Sequence, residues 1–327
     1  MFQKAFHSND ISKFRFLISG GAGFIGSNLV EYLLKYGAKE IRVIDNLSTG
    51  FEDNLKAFLE QPNFTFINAD ISDYESCLNA CEGIDYVSHQ AALGSVPRSL
   101  KDPIGTNAAN VDGFVNMATA AREQGVKRMV YASSSSVYGD SLVLPKVEEQ
   151  IGNPLSPYAV SKYTNELYAK VFAGSYGQEL IGLRYFNVFG PRQSPEGDYA
   201  AVIPLFIEAL KAGESPIVHG DGKQTRDFTF VENAVQANVK AFFTSHKNAI
   251  GEAFNVALGE SFSLLDLLHS LQEILQTDVN AIHQDERAGD IKDSLADISK
   301  AQQLLDYQPN VHFKEGLRKT VAYFASV

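Results

Sequence analysis

The sequence predicts an α/β protein, a doubly wound parallel sheet with a smaller C-terminal α/β part. Three observations predict it. Short apolar runs alternate with helical periodicity through the first half, the pattern of a parallel sheet covered on both faces. The first run passes directly through a glycine-rich turn into a helix. The later runs end in acidic, small or hydroxyl residues, as strands do where a site lies beyond their ends.

Each element can be justified in order. Arg15–Ser19 (RFLIS) reads as a buried strand, and the helix after GGAGFIG carries Leu29, Val30, Leu33 and Leu34 on one side. A second strand, IRVID, ends at Asp45, and a third, FTFINAD, ends at Asp70. A fourth lies within DYVSHQAA and ends near Ala91–Ala92. One long helix is expected from about Pro103 to Gln124, followed by the strand RMVYAS running into Ser133–Ser136. Ser156 is a good N-cap and Pro157 suits the first helical turn, so the next helix starts just before Tyr158. The strand IGLRYFNVFG closes this half near Gly190–Pro191. Beyond it come Pro and Gly turns and an amphipathic helix around Leu264–Leu275, read as a cap over the strand ends. The expected division is 1–185 and 186–327, with segments of the second part returning to the first.

Composition narrows the function. The chain has 327 residues, 45% hydrophobic and 20% charged, an ordinary globular balance. Its net charge of −11 argues against a general nucleic-acid binder, while local Arg sites for a small phosphate ligand stay open. Cys77 and Cys81 fit one helical face and read as packed thiols, in keeping with a reducing compartment. The seven histidines are scattered without metal-ligand spacing, so no metal is expected. The N-terminus lacks a secretory apolar core, and no run reaches bilayer-spanning length. A cytoplasmic protein without a membrane partner is expected.

Gly20, Gly23 and Gly26 form GxxGxxG between a strand and a helix, enclosing Phe24 and Ile25. Residues without Cβ let the backbone turn tightly against a pyrophosphate, whose charge then sits at the positive helix end. A glycine triplet alone is weak, but Asp45 ends the next strand roughly 20 residues on, where a carboxylate accepts from both adenosine ribose hydroxyls. That points to a Rossmann dinucleotide site. A carboxylate there repels the 2′-phosphate of NADP, and Asn46 and its successors bring no Arg, so NAD is favoured. Asp70 and Ile71 are placed near the adenine, with a turn-forming Asp as an equal account of the first. Ala91 and Ala92, at the fourth strand end, are assigned to the same cofactor.

Tyr158 and Lys162 stand four apart on one helical face. A free Tyr titrates near ~10, too high for a base at neutral pH. A lysine cation, the cationic ring of bound NAD and the helix N-terminus all favour the phenolate. YxxxK alone is weak. A hydroxyl-rich strand end, Ser133–Ser136, in a chain with a nucleotide loop strengthens it, against the bland account of a polar turn.

GGAGFIG, SSSSVYG, YAVSK and RYFNVFGP together resemble the extended short-chain dehydrogenase/reductase family of sugar-nucleotide epimerases and dehydratases, from Arg15 to about Tyr307. HQAALGSVPRS, PLSPYAVSKYTNELYA, IGLRYFNVFGPRQ, YAAVIP and SLADISKA are similar to the bacterial UDP-N-acetylglucosamine 4-epimerases within it. The resemblance implies that Tyr158, aided by Ser134 and Lys162, takes the proton of the sugar 4-hydroxyl while hydride passes from carbon 4 to NAD, and that the transient 4-keto sugar then takes the hydride back on its other face. It implies that Ser135 and Ser136 face the hexose; family dehydratases carry Asp-Glu there, so the serines favour epimerisation. Arg226 and Arg287 are implied at the UDP pyrophosphate, Asn187 at a phosphate and Asp290 at the uridine ribose. Gly94, Ser95, Gln193, Ala201 and Ser294 are implied around the hexose, with a small residue at 294 leaving room for an N-acetyl group. A homodimer through the helices at 103–124 and 157–176 is implied as well. The rivals are a UDP-glucuronate 4-epimerase, a 4,6-dehydratase, and a non-catalytic NAD-sensing protein, which is expected to have lost Tyr158 or Lys162.

Overall fold

Alternating side chains along β1 (Arg15–Ser19) point to two different cores, and this organises the molecule. Phe16 and Ile18 belong to one apolar cluster and Leu17 to another. Both faces of the strand are therefore buried, as in parallel sheets covered by helices on each side. The computed structural model describes residues 1–195, 201–285 and 292–326.

From β1 the chain enters α1 (Phe24–Lys35) and continues through β2 (Glu40–Asp45), β3 (Phe64–Asn68), α2 (Tyr74–Cys81) and β4 (Tyr86–His89). Two short helices follow, α3 (Val96–Lys101) and α4 (Pro103–Asn107), then a π turn at Ala108–Asp112 and α5 (Gly113–Glu123). The expected single helix from Pro103 to Gln124 is thus interrupted. β5 (Arg128–Ser134), α6 (Pro157–Tyr176) and β6 (Leu180–Tyr185) complete the first half.

The second half begins with β7 (Val188–Phe189) and α7 (Val202–Lys211), then β8 (Ile217–His219), β9 (Thr225–Arg226) and β10 (Thr229–Phe230). After α8 (Val231–Phe243), β11 (Ala253–Val256) returns to the main sheet beside β6, pairing Phe254 with Leu183. β12 (Phe262–Ser263), α9 (Leu264–Leu275), β13 (Ile282–Gln284), α10 (Ser299–Leu305) and α11 (Phe313–Ser326) follow. α9 matches its expected bounds, and its start is set by a capping box between Ser263 and Asp266.

The main sheet has seven parallel strands in the order β11-β6-β5-β4-β1-β2-β3. One face packs Leu29, Leu33, Val235 and Phe242 of α1 and α8. The other packs Cys77 and Cys81 of α2, Phe114 and Met117 of α5, and Phe172 of α6. The two cysteines are buried and unbridged, as expected for packed thiols, and burial pushes both up to about 12. A third core joins Phe206, Val218, Phe228, Leu267, Phe313 and Leu317, beyond the strand ends. Among the described residues no helix is long and apolar enough to cross a membrane.

Candidate active site

In a doubly wound sheet the strand order reverses between β1 and β4, and a ligand cleft is expected there beyond the C-terminal ends. A cleft of about 560 Å³ occupies that position, with the glycine turn, Asp45, Ser134, Tyr158 and Lys162 in its wall.

The glycines do different jobs. Gly20 has φ +71, and a Cβ on it would lie 2.5 Å from the Ala91 amide nitrogen. A Cβ on Gly26 would lie 2.2 Å from the Gly20 carbonyl oxygen. Both positions therefore require glycine for turn and packing. Gly23 caps α1 without a side-chain acceptor, so the first amides of the helix keep their unmet donors beside the cleft.

Asp45 ends β2 with its carboxylate buried. Oδ2 accepts from the Ala22 amide at 3.0 Å and Oδ1 from the Leu47 amide at 2.8 Å. Burial raises its pKa above the ordinary value, while these amides pull the other way. The carboxylate thus braces the glycine turn as well as facing the cleft. Asp70 also lines the cleft and forms a turn, accepting from Ser72 N and Asn46 Nδ2, each at 2.7 Å. Burial raises its pKa, but those hydrogen bonds prevail and hold it below the usual carboxylate value.

Ser156 accepts from the Ala159 amide at 3.1 Å, with Pro157 in the first turn of α6. This start fixes Tyr158 at the cleft and Lys162 one turn further in. Lys162 is buried; its Nζ donates to the Ala132 carbonyl at 2.9 Å and lies 5.9 Å from the Tyr158 ring centroid. Ser134 ends β5, donating to Ser136 Oγ at 3.1 Å and accepting from the Ser136 amide at 3.1 Å. Burial pushes the Tyr158 phenol above its ordinary pKa, with the Ser134 hydrogen bond opposing, and pushes Lys162 down to about 8. The cleft walls desolvate both groups, and each moves toward its neutral form.

The cleft also brings together Phe24, Ile25, Asn46, Ile71, Ala91, Ala92, Gly94, Ser95, Asn187, Gln193 and Ala201. Gln193 Nε2 donates to the Val188 carbonyl at 3.1 Å, while its Oε1 is buried with no hydrogen-bond partner among the described residues. A buried orphan acceptor is costly unless something else donates to it. Ser135, Ser136, Arg226 and Ser294 do not line the cleft. Ser135 and Ser136 lie in a short 3₁₀ turn after β5, with Ser136 Oγ accepting from Ser134 Oγ. Arg226 lies on β9 and donates to the carbonyls of Thr225 and Lys292. Ser294 is buried beside the same strand, its amide donating to the Thr225 carbonyl at 3.1 Å. Arg287 and Asp290 lie outside the described residues.

Among the cleft residues that were not anticipated are Tyr185, Gln90 and Arg98. Tyr185 pairs in register with Ser134, and the strand-end rule that selected the serine also selects it. Its hydroxyl accepts from Asn238 Nδ2 at 2.7 Å and donates to Gln90 Oε1 at 3.2 Å, fixing Gln90 in the wall. Arg98 sits on α3, whose single turn and a half carried no readable periodicity.

A glycine turn at a helix N-terminus, a strand-end carboxylate and a Tyr–Lys pair in one cleft define a dinucleotide-dependent enzyme that works on a hydroxyl or carbonyl group. The NAD dependent epimerase/dehydratase family model matches residues 16–257. A UDP-glucose 4-epimerase of Mycolicibacterium smegmatis is 38% identical over 95% of this chain and 98% of its own. The UDP-N-acetylglucosamine 4-epimerase of Methanobrevibacter ruminantium, solved with UDP-N-acetylmuramic acid, superposes with a TM-score of 0.91 at 40% identity, over 96% of this chain and 98% of that one. The Thermus thermophilus UDP-glucose 4-epimerase complex with NAD gives 0.85 at 34%, over 95% and 99%. This chain belongs to the NAD dependent epimerase/dehydratase family. NAD is its cofactor, and the residues fit it: the cradle around Gly20 and Gly26 is one a Cβ would fill, and the Asp45 carboxylate stands in the same cleft wall.

Proposed function

We propose that this chain interconverts UDP-N-acetylglucosamine and UDP-N-acetylgalactosamine by inverting carbon 4, and that it acts on the plain UDP-glucose and UDP-galactose pair as well. The observation that carries the reading is the joining of Ser134, Tyr158 and Lys162 to the glycine turn and Asp45 in one cleft, with serines at 135 and 136. The dehydratases this chain resembles carry Asp-Glu at those two positions as the acid and base of water elimination, and neither serine supplies such a group. The N-acetyl preference is supported by the 40% identity to an enzyme of that specificity and by the small residues Gly94, Ser95 and Ala201 in the wall.

NAD, when bound, supplies the reversible oxidation of the C4 hydroxyl to a carbonyl. Tyr158 takes the proton of that hydroxyl and returns it when the carbonyl is reduced from the other side. Ser134 hydrogen-bonds the same oxygen. Lys162, lowered to about 8 but still mostly protonated at neutral pH, favours the Tyr158 phenolate. Gly20, Gly23, Gly26 and the first turn of α1 hold the pyrophosphate of the cofactor, and Asp45 accepts from its ribose. Asn187, Arg226, Arg287 and Asp290 are assigned to the UDP moiety, and Gln193 to the hexose, where its unpaired Oε1 awaits a donor.

The test is incubation of purified protein with UDP-GlcNAc, UDP-Glc and UDP-glucuronate, without added NAD, and identification of the products by NMR. UDP-GalNAc formation is expected, with UDP-Gal from the plain sugar. A 4-keto-6-deoxy product, turnover of the glucuronate alone, or no turnover of any sugar overturns the reading.

A further inference from the structure

The loop that follows β7 reaches back to the cofactor helix through one arginine. Arg192 has φ +69, a left-handed backbone that a residue with a side chain adopts at a cost. Its guanidinium compensates by binding α1 at two points. Nη1 donates to Asn28 Oδ1 at 3.1 Å, and Nη2 pairs with Glu31 Oε2 at 2.6 Å. Its carbon also lies 5.5 Å from the Phe58 ring centroid. Asn28 is fully buried, and its amide donates to two carbonyls: Phe24, in the first turn of α1, at 2.8 Å, and Pro191, next to Arg192, at 3.0 Å. On the far side of this joint, Gln193 turns back to Gly190 at 3.2 Å and lines the cleft together with Asn187 and Val188.

One end of the joint thus touches the turn beneath the cofactor cradle, and the other carries the sugar-side wall. We infer that Arg192 is a positioning residue that clamps the loop at residues 190–195 onto α1, so that sugar binding depends on the register of the cofactor helix. The inference rests on the reading of the cleft as a UDP-sugar site and assigns its regulation to a residue outside the wall. A planar fork suits this task, since it satisfies an amide oxygen and a carboxylate at once. A lysine is a point charge and holds one of the two.

Two variants test it, Arg192→Gln and Arg192→Lys. In Arg192→Gln the KM for the UDP-sugar rises roughly tenfold, the loss expected for one charge-assisted clamp that is partly exposed, while kcat stays within about twofold and the NAD content is that of the wild type. Arg192→Lys recovers part of the loss. Hydrogen exchange without any sugar gives a second readout, in which the amides of residues 190, 192, 193 and 194 exchange faster in Arg192→Gln and the α1 amides do not. An unchanged KM with unchanged exchange at 190–195 overturns the inference, as does a joint loss of kcat and NAD, which signals general damage. If the wild type turns over none of the UDP-sugars, the functional reading has failed, and the exchange result alone decides whether the clamp exists.

Discussion

Tyr158 and Lys162 are each driven toward neutrality by burial, so the ionisation of the pair depends on what enters the cleft. Tyr158→Phe removes the proposed proton acceptor and keeps the ring, and it is expected to lower kcat by about 10²–10⁴-fold. UDP-sugar affinity, measured by calorimetry, is expected to stay near the wild-type value. Lys162 makes a separate thermodynamic prediction. Its ordinary pKa of 10.5 falls to about 8 in the folded protein. Between those values the unfolded chain holds a proton that the folded one has released, so stability rises with pH across this window. From pH 8 to about 9.5 the gain is on the order of 2 kcal/mol. Denaturant titrations of nucleotide-stripped protein at the two pH values measure it, and Lys162→Met abolishes it. A pH dependence that persists unchanged in the variant assigns the effect elsewhere.

Elements set where these residues stand, and here the sequence was legible to differing degrees. Strand ends at Asp45 and Ser134, the α6 start at Pro157 and all of α9 follow from local signals: caps, proline and apolar periodicity. The break in the 103–124 helix does not. Asn110 is pulled inward to accept from the Leu93 amide at 2.7 Å and to donate to the Leu93 carbonyl and Ser161 Oγ, and the helix widens into a π turn around it. Nothing local to Asn110 announces partners 17 and 51 residues away. The same holds for Glu166, one turn beyond Lys162 on α6. It accepts from Ser133 Oγ at 2.5 Å and from Arg184 at 2.8 and 2.7 Å, tying α6 to β5 and β6 beneath the cleft. Glu166→Ala leaves Arg184 buried and unpaired, and a loss of about 3–5 kcal/mol in a urea titration is expected. A second element-scale prediction concerns the glycine turn. Gly26→Ala places a Cβ against the Gly20 carbonyl, and since both atoms belong to backbone, the turn must open. The purified variant is expected to carry little or no NAD when its nucleotide is released by denaturation, whereas wild-type NAD content excludes that account of Gly26.

At the scale of the whole molecule, the second half of the chain completes the first: β11 extends the sheet and α8 covers one of its faces. The opposite face carries a surface that none of the described residues of the single chain covers. α6 buries Ala159, Lys162, Asn165, Glu166, Ala169 and Phe172 toward the sheet. Its outer side presents Val160, Leu167, Tyr168 and Val171, which recur at helical spacing as an exposed apolar stripe. Beside it, α3 and α4 expose Leu100 at 62% and Ile104 at 82%. Single exposed apolar residues are ordinary, but a contiguous apolar face on neighbouring helices marks an association site. An isologous pair, in which this face meets its own copy, would bury the stripe in a four-helix contact and leave the cleft, beyond the strand ends, open to substrate. The expected mass by light scattering is that of a dimer. Leu167→Asp combined with Val171→Asp places two charges at the centre of the face, where desolvating them opposes association. Because both positions are solvent-exposed in the single chain, the double variant is expected to fold, to run as a monomer and to keep its NAD. A wild-type monomer, or a double variant that stays dimeric, removes this face from the assembly.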